Sequence, residues 1–366
     1  MPRCLQRSSL LYGLLGKNYY ALELMLESNH AKITHNRLRR GMIMEYRILG
    51  KTNLQVSEIG HGLWGMGDWK DADDKISLDT LQKSLEMGCN FFDSAWSYGN
   101  GHSDQLLGTL IKHNPKVKII TASKIPPKNL KWPARSADKL EDTFPRQHVI
   151  DFTEKILAGI GTDHIDLLQF HVWDDSWAEN DEWKQTIADL KSKKLIRFFG
   201  LSLNRWEPWN GIKAIKSGLI DAVQVIYNIF DQSPEDNLFP ECDKNNVGVI
   251  ARVPLDEGGL SGNLTTNTRF PETDWRAKYF GPGNLQPTVI RAEALKGLLP
   301  AKMSLPELAL RFILSNRTVS TTIVGMRNLN HLQEDLIASD GKGLSRELIN
   351  KLRPHRWDRK VAPWSD

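Results

Sequence analysis

Short apolar runs bounded by Gly, Asn or Asp alternate along this chain with longer stretches whose hydrophobic residues recur at helical spacing. The runs are SEIGHG (57–62), CNFFD (89–93), VKIITASK (117–124), HIDLLQFH (164–171), IRFFGLS (196–202), AVQVIYN (222–228), VGVIARV (247–253) and VSTTIVG (319–325). They read as strands of a parallel sheet buried on both faces. Between them, SLDTLQKSLEMG (77–88) puts Leu78, Leu81 and Leu85 on one face. HVIDFTEKILAGIG (148–161), DEWKQTIADLKSKK (181–194), EPWNGIKAIKSG (207–218), PEDNLFPECDKNN (234–246) and LNHLQEDLIA (329–338) are also read as helical. Gly88, Gly161 and Gly218 stand just past periodic segments, where a left-handed residue closes a helix without strain. Eight strands, each followed by helical sequence, predict an α/β chain folded as a (β/α)8 TIM barrel, with a doubly wound open sheet as the rival. The irregular stretch 254–286, rich in Gly, Thr, Asn and Pro, follows the seventh strand, and loops of that length usually carry function.

GHGLWG (60–65) formally matches the dinucleotide fingerprint G-x-G-x-x-G. That fingerprint needs its third glycine to open a helix packed on the sheet. Gly65 runs instead into the polar MGDWKDADDK, so these glycines are expected to shape a barrel loop.

Composition adds exclusions. With 366 residues, 40% hydrophobic and 25% charged, the chain has the make-up of an ordinary globular protein. Its net charge of +4 is uneven: residues 1–43 carry seven Lys/Arg (Arg3, Arg7, Lys17, Lys32, Arg37, Arg39, Arg40) against Glu23 and Glu27. This segment reads as a leader, poorly ordered and upstream of a barrel domain over 44–366, though an Arg-rich, acid-poor start also suits a transit peptide. The near-neutral remainder argues against nucleic acid as a partner. Cys4, Cys89 and Cys242 are odd in number and lack CxxC spacing, which excludes a disulfide framework or structural zinc and fits a reducing, cytoplasmic setting. No apolar run approaches the roughly 18 residues that span a membrane. DDSW (174–177) has a single nearby His and no His-x-His, so no metal is expected. RPHRWDRK (353–360) reads as a solvated or packing tail.

Candidate chemistry sits at three successive strand ends. Asp93 ends the second strand with Tyr98 on the loop beyond it, Lys124 ends the third and His171 the fourth. In a barrel these ends face one mouth, so the four can converge. A free phenol, with a pKa of about 10, is a poor acid at neutral pH. A neighbouring ammonium favours the phenolate and lowers that pKa, while a carboxylate keeps the ammonium charged and fixed. Histidine can donate a hydrogen bond to a carbonyl oxygen as charge develops there. Together they form a device for protonating a carbonyl oxygen, and the hydride must come from a cofactor. Trp64, Trp69, Trp96, Trp173 and Trp177 fall on loops at the expected mouth. They read equally as an aromatic wall for substrate, Trp64, Trp96 and Trp173 foremost, or as loop packing.

FFDSAWSYGNGHSDQLLG (91–108), ITASKI (120–125) and LLQFHVW (167–173) resemble the active-site segments of the aldo-keto reductases. GLS (200–202), QVIYN (224–228), GVIARVPLDEGGLSG (248–262) and STTIVGMRNLNHLQED (320–335) resemble that family's later strands and cofactor loops, so the similarity covers most of 45–340. The resemblance implies that Asp93, Tyr98, Lys124 and His171 form a catalytic tetrad with Tyr98 as proton donor. It also implies an extended nicotinamide dinucleotide, its carboxamide held by Ser202 and Gln224, with Arg252 where many members stack an aromatic ring. Pro254, Leu255 and Gly258 would line the pyrophosphate, and Gly325, Arg327, His331, Glu334 and Asp335 the adenosine end. The fork of Arg327 suits a 2′-phosphate and hence NADPH. NADH is possible too, because His331, Asp335 and Leu203 depart from the family pattern. The implied activity is reduction of small aldehydes or ketones to alcohols, by a monomer or weak homo-oligomer. The alternative is a cofactor-binding accessory or channel-associated subunit with little turnover, a role some members fill.

Overall fold

The structure, a computed structural model, describes residues 44–67, 72–281 and 283–357. The expected leader, Trp69 and the end of the C-terminal tail lie outside the described residues.

The strands are β1 (Tyr46–Ile48), β2 (Gln55–Ser57), β3 (Ile59–Gly62), β4 (Phe91–Asp93), β5 (Ile120–Ile125), β6 (Ile165–Phe170), β7 (Ile196–Ser202), β8 (Ala222–Ile226), β9 (Gly248–Arg252) and β10 (Val319–Val324). Strands β3 to β10 close into a barrel in sequence order, β10 pairing with both β3 and β9, and each pair is parallel. The open-sheet alternative is thereby overturned. Each of the eight barrel strands falls inside or within one residue of its apolar run.

One element escaped the pattern. SEIGHG is two pieces: its start belongs to β2, which pairs antiparallel with β1, and only the remainder is barrel strand. Leu49, Leu54 and Val56 of this hairpin are fully buried, clustered with Phe91, Ile120, Leu167, Ala222 and Ile250. Phe91, Ile120 and Ala222 are the first residues of their strands, so the hairpin plugs the amino-terminal end of the barrel. Burying that apolar layer fixes which end remains open for chemistry.

Helices fill the connections as expected, with ends set by local capping. Helix Asp74–Glu86 starts earlier than its apolar period because Asp73 accepts a hydrogen bond from the Ile76 amide. Gly88, Gly161 and Gly218 have φ of 98°, 72° and 79°, the left-handed stops their positions implied. Helices His102–His113, Leu285–Lys296 and Leu305–Leu314 were not singled out by the pattern. Among its described residues, the stretch 254–286 includes the short 3-10 turn Asp256–Gly258 and helix Trp275–Phe280, the latter capped by Asp274. The C-terminal residues pack: Arg356 makes a two-pronged ion pair with Asp236, and Trp357 meets the ring of Phe230 edge-on.

Candidate active site

Strand alternation and register together build the site. Side chains two apart share a face, and parallel partners in register face the same way. Phe91 and Asp93 of β4, Ala122 and Lys124 of β5, Leu167 and Gln169 of β6, Gly200 and Ser202 of β7, Ala222 and Gln224 of β8, and Ile250 and Arg252 of β9 therefore share the inner face, staggered around the barrel: Asp93 pairs with Ala122, Lys124 with Gln169, Gln169 with Gly200, Ser202 with Gln224, and Gln224 with Ile250. The first of each pair, Gly200 aside, belongs to the apolar layer over the hairpin. The second of each is polar, and these six line the carboxyl-terminal mouth. Gly200 leaves room for Gln169: a Cβ there would stand 2.7 Å from the Ala222 carbonyl oxygen and 3.3 Å from Gln169 Cγ.

Three of the tetrad residues are joined directly by hydrogen bonds. Lys124 Nζ, fully buried, donates to Asp93 Oδ2 at 2.5 Å, to the Ser94 carbonyl at 2.7 Å and to the Tyr98 hydroxyl at 3.4 Å. Asp93 Oδ1 accepts from Gln224 Nε2 at 2.8 Å and from Gln169 Nε2 at 3.4 Å. The His171 ring meets the Tyr98 ring edge-on at 5.8 Å, and its Nδ1 lies 3.1 Å from Ser97 Oγ. Gln224, which the resemblance assigns to a carboxamide, thus also holds Asp93. Gln169 was missed from the sequence, although a glutamine inside the apolar LLQFH was its signal.

Electrostatics assign protonation states. Burial acts to lower the pKa of Lys124, but Asp93 and Tyr98 outweigh it and the net shift is upward, so the ammonium stays charged. Burial raises Tyr98 above the usual phenol value, with Lys124 pulling the other way. The net direction differs from the lowered pKa expected from the sequence, because desolvation exceeds the effect of the lysine. Tyr98 is therefore firmly protonated at neutral pH. His171 is held well below the ordinary imidazole value by burial, then by the cations Lys124 and Arg252. It is neutral.

The glycines of the 60–67 loop have a steric role. The segment Trp64–Gly67 forms a short helical turn rather than continuing as open loop. A Cβ on Gly67 would come within 2.6 Å of the Tyr98 carbonyl carbon, and one on Gly65 within 2.6 Å of Arg327 Cδ. Both glycines let this turn lie flat against the tyrosine loop on one side and the arginine on the other.

The tryptophans divide. Trp64 stands at the mouth, partly exposed, 6.4 Å from the Tyr98 ring and 6.0 Å from Trp275. Trp96 does not: it packs edge-on against Phe152, beneath Lys155, on helix Arg146–Ile160. Trp173 is wholly buried among Phe170, Trp177 and Trp183, its Nε1 donating to Asp175. Trp177 is buried beside it, donating to the Asp138 carbonyl. For Trp173 and Trp177 the burial of a large apolar ring with its N–H satisfied prevails, for Trp96 the packing against helix Arg146–Ile160, and the expected wall is corrected accordingly. Its other members are Trp132, 41% exposed and edge-on to His171 at 5.9 Å, and Trp275 from the long loop.

The residues carried over for a cofactor fall into two groups. Ser202 and Gln224 are register partners, and Arg252 beside them donates Nη2 to the Leu203 carbonyl at 2.9 Å. Arg252 Nε and Gln169 Oε1 are buried without a hydrogen-bond partner among the described residues. Pro254, Leu255 and Gly258 follow in a turn where Val253, Asp256 and Glu257 have φ of 57°, 52° and 53° and Gly258 has 98°. Three left-handed non-glycine residues in so short a run mark a strained segment of the kind found at ligand clamps. At the other group, Gly325 is open and helix Leu329–Leu336 is capped by Asn328, which accepts from the His331 amide. His331 and Glu334 are exposed, while Asp335 is buried.

Burial, reinforced by Glu334, pushes the Asp335 carboxyl up to about 8. A carboxyl whose folded pKa is raised binds its proton more tightly folded than unfolded. Its contribution is complete below the unfolded value of about 4 and is lost as pH rises toward the folded one. Asp335→Asn is thus expected to raise the melting temperature by a few degrees near pH 8 and to change it little near pH 4. Thermal melts across that range test this, and an equal effect at both ends would mean the carboxyl is ionised throughout.

Among the described residues no group of three or more His, Cys, Asp or Glu could hold a metal ion, and no helix is long and apolar enough to cross a membrane.

Comparison with known proteins agrees with this geometry. Residues 58–356 match the model of the Aldo/keto reductase family. An uncharacterized oxidoreductase of Bacillus subtilis, YqkF, is 28% identical over 85% of this chain and 96% of its own length. An NADH-specific methylglyoxal reductase of Escherichia coli is 24% identical over 79% of this chain and 92% of its own. A probable voltage-gated potassium channel subunit beta of Arabidopsis thaliana is 26% identical over 81% and 92%. The holo form of the aldo-keto reductase AKR11C1 from Bacillus halodurans superposes with a TM-score of 0.68 at 25% identity, covering 88% of this chain and all of that one. The chain belongs to the aldo/keto reductase family of oxidoreductases.

Proposed function

We propose that the protein reduces aldehyde or ketone carbonyls of small molecules to alcohols with NAD(P)H, Tyr98 donating the proton. The observation that carries this is the buried Lys124 holding Asp93 and the Tyr98 hydroxyl together beside a neutral His171. The Tyr98 hydroxyl and the His171 ring both donate to the carbonyl oxygen. A reduced nicotinamide, when bound, supplies hydride to the carbonyl carbon. As negative charge grows on the oxygen, Tyr98 releases its proton to it, and the charged Lys124 stabilises the phenolate left behind. Asp93 keeps Lys124 in place, and Gln224 and Gln169 keep Asp93 in place. The mouth suits such a cofactor, since Arg252 Nε and Gln169 Oε1 have polar capacity to spare beside Ser202 and Gln224. Ser202, Gln224 and Arg252 would hold the carboxamide end, Pro254, Leu255 and Gly258 the pyrophosphate, and Gly325, Arg327, His331, Glu334 and Asp335 the adenosine. The expected setting is the cytoplasm, with the protein a monomer or weak homo-oligomer.

The test is NADPH and NADH oxidation against a panel of aldehydes, ketones and sugars, with steady consumption of cofactor expected on part of it. The relative named as a channel subunit supports a second reading, a cofactor-binding subunit with little turnover. Tight cofactor binding with no turnover on the whole panel would favour that one.

Arg327 is proposed to read a 2′-phosphate. Gly65 leaves its stem room to lie along the 64–67 turn, and a charge-assisted hydrogen bond to phosphate is worth roughly 1.5–3 kcal/mol. Arg327→Ala is expected to weaken NADPH binding about ten- to a hundredfold and barely change NADH binding. Fluorescence titration of both cofactors checks it. Equal losses would assign Arg327 to the fold or to the shared pyrophosphate.

A further inference from the structure

We propose that Ser97 is a positioning residue that fixes the tautomer of His171, and so determines which ring nitrogen meets the carbonyl oxygen. The inference rests on the reductase reading above and adds a residue to it. Ser97 Oγ lies 3.1 Å from His171 Nδ1, and the ring has no other hydrogen bond among the described residues. The ring is confined on two further sides, by the edge-on contacts with Tyr98 at 5.8 Å and Trp132 at 5.9 Å. The backbone beneath it is anchored where the His171 amide donates to the Ile125 carbonyl at 3.1 Å. With Nδ1 engaged by Ser97, Nε2 is the nitrogen left for a ligand.

A neutral imidazole carries one donor and one acceptor nitrogen. His171 is neutral because it is buried near Lys124 and Arg252. If Nδ1 bore the proton and gave it to Ser97, Nε2 would present a lone pair to the carbonyl oxygen, two acceptors facing each other. The Ser97 proton has no other acceptor among the described residues, so donation to Nδ1 satisfies both partners with one bond. Nε2 then carries the hydrogen and is a donor, as the reaction requires. Ser97 also precedes Tyr98 in the chain. The loop bearing both is pinned where the Tyr98 amide donates to the Ala95 carbonyl at 3.0 Å and the Ser103 amide to the Tyr98 carbonyl at 3.2 Å. One short loop thus sets the position of the phenol and the polarity of the imidazole.

The test begins with the full-length protein labelled with nitrogen-15 at histidine and free of cofactor, His171 being assigned by its disappearance in His171→Gln. Long-range proton–nitrogen correlation is expected to show Nε2 protonated and Nδ1 bare. Ser97→Ala is expected to give a mixture of tautomers and to lower kcat about three- to tenfold with KM nearly unchanged. Ser97→Thr, which keeps the hydroxyl, is expected to restore both. A wild-type spectrum with the proton on Nδ1 overturns the proposal, and so does a Ser97→Ala protein that keeps the wild-type tautomer and kcat. If Ser97→Ala does not fold, the wild-type and Ser97→Thr spectra decide. The spectra need neither substrate nor turnover, so a protein that reduces nothing would count against the reductase reading alone.

Discussion

Tyr98→Phe is expected to lower carbonyl reduction about a hundred- to ten-thousandfold, the usual contribution of a positioned proton donor. The substitution removes one oxygen and keeps the ring, so the contacts with His171 and Trp64 persist. Lys124 loses only its longest hydrogen bond, at 3.4 Å, and retains those to Asp93 and the Ser94 carbonyl. Folding and cofactor binding should therefore survive, which thermal melting and quenching of tryptophan fluorescence by NADPH would check. The loss should fall on kcat, since the phenol acts on charge that appears only in the transition state. Burial raises the phenol's pKa and makes it a weaker acid at rest, so its release depends on the Lys124 cation and on the charge that develops on the substrate oxygen. A Tyr98→Phe enzyme that reduces substrate at the wild-type rate would mean that the proton comes from another group.

Asp93, Lys124 and His171 were legible in the sequence because strands of a parallel barrel announce themselves as apolar runs, and a charged or titratable residue at the end of one breaks the pattern. Uncharged polar residues mark a strand end less sharply: Ser202 and Gln224, register partners on the inner face, came only from the family resemblance, and Gln169 was missed. Loops obey no such period. Trp96 and Tyr98 are two residues apart on one loop, yet the indole lies on helix Arg146–Ile160 and the phenol in the mouth. Trp132 reaches His171 from a Pro-rich loop eight residues past Lys124, and nothing in local spacing foretells that path. Ser97 was invisible for a related reason: a serine beside a tyrosine means nothing until the loop's fold brings it to a histidine 74 residues away. The hairpin that plugs the barrel was hidden because β2 and β3 are separated by a single residue and read as one run.

Lys124→Met is expected to damage stability and activity by separate routes, and the two can be pulled apart. Lys124 and Asp93 are both buried, and their ion pair is the shortest contact in the tetrad. Removing one partner of a buried pair typically destabilises by about 3–5 kcal/mol, because the remaining charge is left uncompensated. In this variant Asp93 would keep only the amide hydrogen bonds from Gln224 and Gln169. Turnover should fall at least about a hundredfold, since the phenolate formed from Tyr98 would lose its cation. Adding Asp93→Asn removes the stranded charge, so Lys124→Met with Asp93→Asn should recover much of the lost stability in a denaturant titration and none of the lost turnover. Combined instead with Tyr98→Phe, Lys124→Met should cost little more activity than either change alone, because both disable one proton transfer. Undiminished stability of the single variant would show that Asp93 takes up a proton when the lysine is gone. The tetrad would then be held together by hydrogen bonding rather than by charge, and Lys124 would be present for the reaction alone.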